Sequence, residues 1–267
     1  MQLDALVAAP LALPCLPRTV ALLMNALAAP EPDLRRVNQL FGTDPALAAR
    51  LLELANSAAF QATGQIVGIP EALALLGAPQ LRALVAQAPL GAASRSVPGV
   101  NLPAFWRYSL HTAKLARSLA GLVRHDTQAA YTAGLLHGLG ALAMHMAEPE
   151  EAQAIATPPL DPRRARQELR QLGFCYSQVS AGLARRWQLP GVVADALEHL
   201  HAPFDNGVYE PLAGVLHLAS WHARAREAGL GERELAVSFP GEVGLALGLD
   251  IDMVLQQDPI DWSAQAH

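Results

Sequence analysis

Apolar residues recur at helical spacing along most of the chain. Leu47, Leu51 and Leu54 follow Asp44-Pro45, a pair suited to the N-cap and first position of a helix. Similar apolar runs begin after three further prolines, Pro79, Pro190 and Pro211. No alternation of apolar and polar residues lasts long enough to predict a strand. The pattern therefore predicts an all-α fold built from about a dozen short helices.

One stretch interrupts this pattern and suggests an internal boundary. Gly91–Pro103 is rich in small residues and contains two prolines. It separates an N-terminal helical half (13–90) from a second helical half (103–225), and we expect the two to pack together as one domain. The leucines of the remaining segment (226–267) predict a C-terminal helical extension in which Leu245, among others, packs. Trp262 is expected to anchor this extension in the core, with a partner-binding surface as the alternative.

Composition and charge narrow the class of protein. Hydrophobic residues make up 52% of the chain and charged residues only 16%, which excludes a disordered protein. The formal net charge of -5 argues against a nucleic-acid binder, because phosphate neutralisation requires a surplus of basic residues. One basic cluster (Arg163, Arg164, Arg166 and Arg170, with Glu168 among them) is expected to be a solvated helix face rather than an anion site.

The segment Thr127–Ala147 carries no formal charge and must be weighed as a membrane span. Its strongly apolar residues are too few for that, so a buried core helix is the preferred interpretation. The chain starts without the basic residues of a secretory signal. Cys15 and Cys175 have no motif spacing, which fits a reducing compartment. We therefore expect a cytoplasmic protein that does not contact membranes.

Histidines are the main candidates for chemistry. His111 lies in the predicted long helix 105–124, between its apolar and polar sides, and His137 lies in a strongly apolar run. No acidic residue occurs from Thr127 to Ala147, so the neighbourhood of His137 supplies no carboxylate. A binuclear phosphohydrolase requires several imidazoles and at least one carboxylate. For His137 alone, a hydrogen-bonded core residue is therefore favoured over a metal ligand.

Several motifs, in their order, resemble the HDOD domain, the HD-related output domain of bacterial signalling proteins. They extend from Leu13 to Trp221 and are Leu13-Pro14-Cys15-Leu16-Pro17, the run from Asp44 to Ser57, Ala72–Gly77, Phe105–His111, Ala133–His137, Trp187-Gln188-Leu189-Pro190 and His217-Leu218-Ala219. The resemblance implies an HD-like helical bundle with an N-terminal helical subdomain packed on it.

The resemblance also marks where a working HD site would have its metal ligands, and most of them are absent. The His-Asp pair would be His137 and position 138, but residue 138 is Gly138. The next histidine aligns with Tyr176, the paired histidines with Leu200 and His201, and the final aspartate with Ser220. We call His111, His137, Gly138, Tyr176, His201 and Ser220 the relict site.

These departures imply a protein that binds rather than catalyses. We expect no metal or other cofactor, and a regulatory role exerted through signalling proteins bound in trans or a small ligand in the relict pocket. Self-association is left open. The alternative is a degenerate metal-dependent phosphohydrolase that acts on a nucleotide or cyclic dinucleotide.

Overall fold

The computed structural model describes residues 1–62, 64–88, 96–155, 157, 161, 163–205 and 210–262. Within these ranges the chain is helical, and its only strand-like feature is an isolated bridge between Val97 and Val100. The α-helices are α1 (Leu3–Ala8), α2 (Pro17–Ala28), α3 (Leu34–Phe41), α4 (Pro45–Ala55), α5 (Ile69–Ala86), α6 (Leu102–Leu122), α7 (Thr127–Leu136), α8 (Leu139–Ala147), α9 (Pro149–Ala154), α10 (Arg164–Leu172), α11 (Tyr176–Arg186), α12 (Gly191–Glu198), α13 (Pro211–Glu227), α14 (Glu232–Ser238), α15 (Gly241–Leu247) and α16 (Ile251–Gln256). The all-α prediction is confirmed.

The N-terminal half is organised around α4. Asp44 caps this helix as its sequence predicts, accepting hydrogen bonds from the backbone N–H groups of Ala46 and Leu47 at 3.0 Å each. The same carboxylate accepts a third bond, 2.5 Å long, from the N–H of Leu16 at the start of α2. Leu51 is fully buried. The cap therefore also fixes α2 against α4, which the sequence alone did not indicate.

Helix α5 is the one helix within the described ranges that is long and apolar enough to cross a membrane by length and composition. Its backbone leaves the helical region at Gly77 (φ 72°, ψ 169°), two residues before Pro79. Leu73 and Leu81, one on each side of this break, are buried in the core. A kinked core helix passes the same length test, so this feature is weak evidence for a span.

The second half is a bundle whose helices approach closely at glycines. At Gly134 an added Cβ atom would lie 2.6 Å from the Cα atom of Ala113, so α7 packs almost backbone to backbone on α6. At Gly140 it would lie 2.0 Å from the carbonyl oxygen of Tyr176, which brings α8 equally close to α11. Helix α13 packs on α6 and α7 and completes the bundle.

The structure of the segment Thr127–Ala147 differs in one respect from the single buried helix that the sequence predicts. Most of the segment is buried, as predicted, but its last residue is exposed, and it forms two helices and not one, because the chain turns between α7 and α8 at His137-Gly138. His137 therefore lies at the C-cap of α7 rather than inside an apolar helix. The turn directs its imidazole ring into the bundle.

Hydrogen bonds join the two halves. The Tyr131 hydroxyl donates to the carbonyl oxygen of Gly42 at 2.8 Å, and the Thr132 hydroxyl donates to that of Val67 at 2.7 Å. The N-terminal subdomain thus packs on the HD-like bundle. The predicted boundary at Gly91–Pro103 lies partly outside the described residues, and the domain limits stay predictions.

The C-terminal extension packs mainly on α13. Leu235 and Val254 are fully buried, and the Trp221 ring meets Phe239 edge to face with centroids 5.4 Å apart. Leu245 contradicts the packing expected of it, since 84% of its surface is exposed. Residues 263–267 of the predicted extension lie outside the described part of the chain.

Replacement of Asp44 by alanine should destabilise the protein more than an ordinary cap deletion does. Removing it leaves three backbone donors without an acceptor in a dry environment, where each such group costs about 1–3 kcal/mol. The matched control is Asp126→Ala, because Asp126 caps α7 with two similar bonds but is exposed, so water can replace it. We expect about 0.5–2 kcal/mol for the control and more for Asp44→Ala in urea denaturation at pH 7.5. Equal losses of unfolding free energy in the two variants would show that the bond from Leu16 to Asp44 does not contribute to stability.

Candidate functional site

His137 is enclosed by the bundle. Its Nδ1 atom donates to the carbonyl oxygen of Gly134 at 2.6 Å, and its ring lies edge-on to Tyr108 with centroids 5.1 Å apart. Its Nε2 atom is buried and has no hydrogen-bond partner among the described residues. Burial lowers the pKa of His137 to about 4, aided by the positive charge of Arg224. The ring is therefore a neutral imidazole at pH 7.

The space next to Gly138 is filled by an aromatic ring. A Cβ atom added at Gly138 would lie only 2.8 Å from the Cε2 atom of Phe105. Phe105 belongs to α6 and is buried, so it has little room to withdraw. A carboxylate at position 138, where the resemblance places the aspartate of the His-Asp pair, would collide with this ring.

His111 is close to a carboxylate that the sequence analysis missed. Its Nδ1 atom lies 2.9 Å from Oε1 of Glu227, at the C-terminal end of α13. The His111 ring also meets the Trp262 ring edge to face, with centroids 4.7 Å apart. Glu227 follows Ser220 by seven residues, which is two helical turns, so it shares the face of α13 from which the expected aspartate is missing. That spacing is the signal that could have found it.

Tyr176 and His201 are in contact, and Ser220 lies beside Tyr108. The rings of Tyr176 and His201 meet edge to face, with centroids 5.1 Å apart. The Ser220 hydroxyl donates to the carbonyl oxygen of His217 at 2.9 Å, and the Ser220 carbonyl accepts from the Tyr108 hydroxyl at 3.2 Å. Burial lowers the pKa of His201 to about 3, with smaller contributions from nearby positive charge. Its Nε2 atom has no partner in the described part of the protein.

The relict site does not fit a metal centre. No three His, Cys, Asp or Glu side chains within the described ranges are close enough together to hold an ion. His111 is engaged with Glu227, and His137 has Phe105 beside its neighbouring residue. A single carboxylate paired with one imidazole can orient a polar group, but it cannot hold two cations about a bridging water.

Trp262 covers His111 from the C-terminal extension. Its ring nitrogen donates to Oδ2 of Asp258 at 2.6 Å, and the same oxygen lies 3.2 Å from Nε2 of His222 on α13. These bonds hold the end of the described chain against the relict site. Trp262 thus combines a core contact with a position at the margin of the site.

The arginine cluster is only partly the solvated face that its sequence suggests. Arg163, Arg166 and Arg170 are exposed, but Arg164 and Glu168 are fully buried. Nε of Arg164 donates to Oε1 of Glu168 at 2.7 Å. Its Nη1 atom donates to the carbonyl oxygen of Thr157 at 2.6 Å, and its Nη2 atom donates to that of Ala152 at 2.9 Å and lies 3.4 Å from Nε2 of His145. The prediction failed here because buried carbonyls and one carboxylate satisfy the charge, which spacing along the helix cannot show.

The sequence model of the HDOD domain matches residues 13–203. This chain belongs to the HDOD family. An uncharacterised protein of Treponema pallidum (strain Nichols) is 28% identical over 221 residues, which are 79% of this chain. The HDOD chain spans 42% of that relative's length.

Solved structures share the fold. A fragment of the MmoQ response regulator from Methylococcus capsulatus aligns with a TM-score of 0.72 and 26% identity, over 91% of this chain and 94% of that one. A virulence factor from Campylobacter jejuni aligns with a TM-score of 0.73 and 20% identity, over 99% and 97% of the two chains. At that identity the second match shows the fold alone.

Acid should destabilise this HDOD protein through its buried imidazoles. Below pH 6.5 the unfolded chain binds a proton at His137, whereas the folded protein does not until about pH 4. The unfolded state then holds more protons, so stability is full above pH 6.5 and falls as the pH drops towards 4, by roughly 3 kcal/mol for a complete shift. His201 acts in the same direction.

The variant His137→Asn tests this, because its amide can still donate to Gly134 but does not titrate. We expect the loss of unfolding free energy between pH 7.5 and pH 5 to shrink in this variant. The control is His199→Asn, since Nδ1 of His199 bonds the carbonyl oxygen of Asp195 at 3.0 Å in the same local manner, but His199 is only half-buried. An unchanged pH dependence in His137→Asn would contradict the prediction.

Proposed function

We propose that this HDOD protein is a non-catalytic signal-transduction module that acts by binding other proteins in trans. The observation that carries the proposal is the Phe105 ring beside Gly138. It fills the space in which the resemblance would place the aspartate of a working metal site. Phe105 is buried in the core of the bundle. Its ring therefore contributes packing at the position where a working metal site would have a carboxylate.

The state of the histidines supports the same proposal. His137 has one ring nitrogen bonded to a backbone carbonyl and the other enclosed by the bundle. His111 pairs with Glu227 and lies under Trp262. These contacts hold both rings in place without a metal ion, as a purely structural role requires.

One observation favours the second candidate, a degenerate metal-dependent phosphohydrolase. Glu227 supplies a carboxylate within 2.9 Å of His111, on the helix face where the missing aspartate is expected. Arg107 also reaches this carboxylate, at 3.4 Å. Two equivalents of bound transition metal in the purified protein would favour this candidate.

Both cysteines are free and buried, which fits a reducing compartment, and we propose that the module is cytoplasmic. We expect its partners to be signalling proteins. Nucleic acid is a poor candidate, because the chain lacks the surplus of basic residues that nucleic-acid binding requires.

The protein should be catalytically silent. Metal-supplemented protein incubated with nucleotides, cyclic dinucleotides and a generic phosphodiester should show no turnover, and His111→Ala and His137→Ala should alter only stability or partner binding. Turnover that disappears in folded His137→Ala would overturn the proposal and favour the phosphohydrolase.

Restoring the missing aspartate should harm the fold without creating a metal site. Gly138→Asp forces the buried Phe105 ring to move, which is expected to cost about 1–3 kcal/mol in thermal or urea unfolding. Gly191→Asp is the matched control, because no atom lies within 4 Å of a Cβ at that helix start and an acidic residue suits the first turn. If Gly138→Asp is as stable as the control and binds a transition metal, Phe105 does not close the site.

A further inference from the structure

A cavity of about 790 Å³ opens beside the relict site. Its inner wall includes His201, Ser220 and Arg224, and its outer wall includes Arg166 and Leu169 of α10, both exposed at the opening. The volume lies within the range of about 300–1,000 Å³ that is typical of sites for small organic molecules. His111, His137 and Gly138 are not among the lining residues, so the cavity reaches only the side of the relict site formed by His201 and Ser220.

The charge of this cavity is one-sided. Two arginines line it beside the neutral rings of His201 and His217, and no acidic side chain does among the described residues. No carboxylate of the described chain forms an ion pair with the Arg224 guanidinium, which is close enough to the Tyr108 hydroxyl to influence its pKa. Burial is the main cause of the lowered pKa of His201 and of His217, and the positive charge of Arg224 lowers both further. A half-buried cation that has no ion-pair partner is costly, and a bound anion would offset that cost.

The rest of the lining is apolar. Trp221 and Leu230 contribute side-chain surface, and several alanines line the remaining wall. The Nε2 atom of His201 is buried and has no hydrogen-bond partner within the described ranges. Apolar walls with a few convergent polar groups are the usual composition of a binding pocket for a small organic molecule.

We propose that this cavity binds an organic anion, a carboxylate or phosphate group on a largely apolar body, with the Arg224 guanidinium as the partner of the charge. Arg166 attracts the anion at the opening, and Trp221 contacts the body of the ligand. The site goes beyond the proposed function, to which it adds a small-molecule signal. Because Ser238 and Pro240 also line the cavity, the ligand would join α13 to the C-terminal extension.

Two fluorescent probes with the same aromatic body test the proposal. 8-Anilinonaphthalene-1-sulfonate carries an anionic group, and N-phenyl-1-naphthylamine is its neutral counterpart. The wild-type protein should bind the sulfonate more tightly than the neutral probe. Decanoate and phenylphosphonate, which has a phosphorus–carbon bond in place of the ester, are added as competitors and show whether a carboxylate or a phosphate-like group displaces the probe better.

Arg224→Met should weaken binding of the sulfonate on the order of tenfold to a hundredfold, the range expected for loss of a charge-assisted hydrogen bond. It should change the affinity for the neutral probe less than about twofold, since only the charge is removed. Arg170→Met is the matched control, because Arg170 is exposed on α10 and does not line the cavity, and it should change neither affinity.

Ala228→Trp keeps the test decisive if Arg224→Met does not fold. Ala228 is exposed and lines the opening, so the indole should obstruct entry of both probes without entering the core. Equal affinity of wild type and folded Arg224→Met for the sulfonate would overturn the proposal, as would unchanged binding in Ala228→Trp. Neither probe has a phosphoester bond, so these outcomes are independent of whether the protein hydrolyses any substrate.

Discussion

The turn between α7 and α8 is held by a single serine side chain. A helix break in a buried segment leaves backbone groups without partners, and a dry core provides no water to satisfy them. The Ser180 hydroxyl of α11 donates to the carbonyl oxygen of His137 and accepts from the N–H of Gly140, both at 2.8 Å. It can do so because Gly140 lets the backbones of α8 and α11 approach. The direction of the His137 ring depends on this arrangement.

The buried ion pair of α10 positions the other side of the relict site. Glu168 uses one oxygen for Arg164 and the other for the backbone N–H of Tyr176, at 2.7 Å, so it fixes the start of α11. Tyr176 in turn packs against His201. Breaking such a pair by removing one partner leaves an unpaired charge in the core, which is more costly than the pair itself is favourable.

Local sequence patterns predicted the helices well, but contacts between helices that are distant in the sequence were predicted poorly. Asp44-Pro45 and the leucines after it defined α4, because capping and spacing are properties of neighbouring residues. The burial of Arg164 and the approach of Glu227 to His111 depend on which helices meet, and helical spacing carries no such information. The family resemblance located the relict positions, but only packing shows that Phe105 occupies the space beside Gly138.

Arg224 connects the lost chemistry with the proposed binding site. It follows Ser220 by four residues, one helical turn along the same face of α13, beside the position where the resemblance expects a metal-binding aspartate. A guanidinium at this place supplies positive charge without the coordinating side chains that a metal ion needs. Together with burial, this charge favours the neutral form of His137 and His201. It does not lower the pKa of a bound water as a divalent metal does. On the two proposals together, a scaffold of this kind attracts an anion and leaves it intact, which suits a sensor rather than an enzyme.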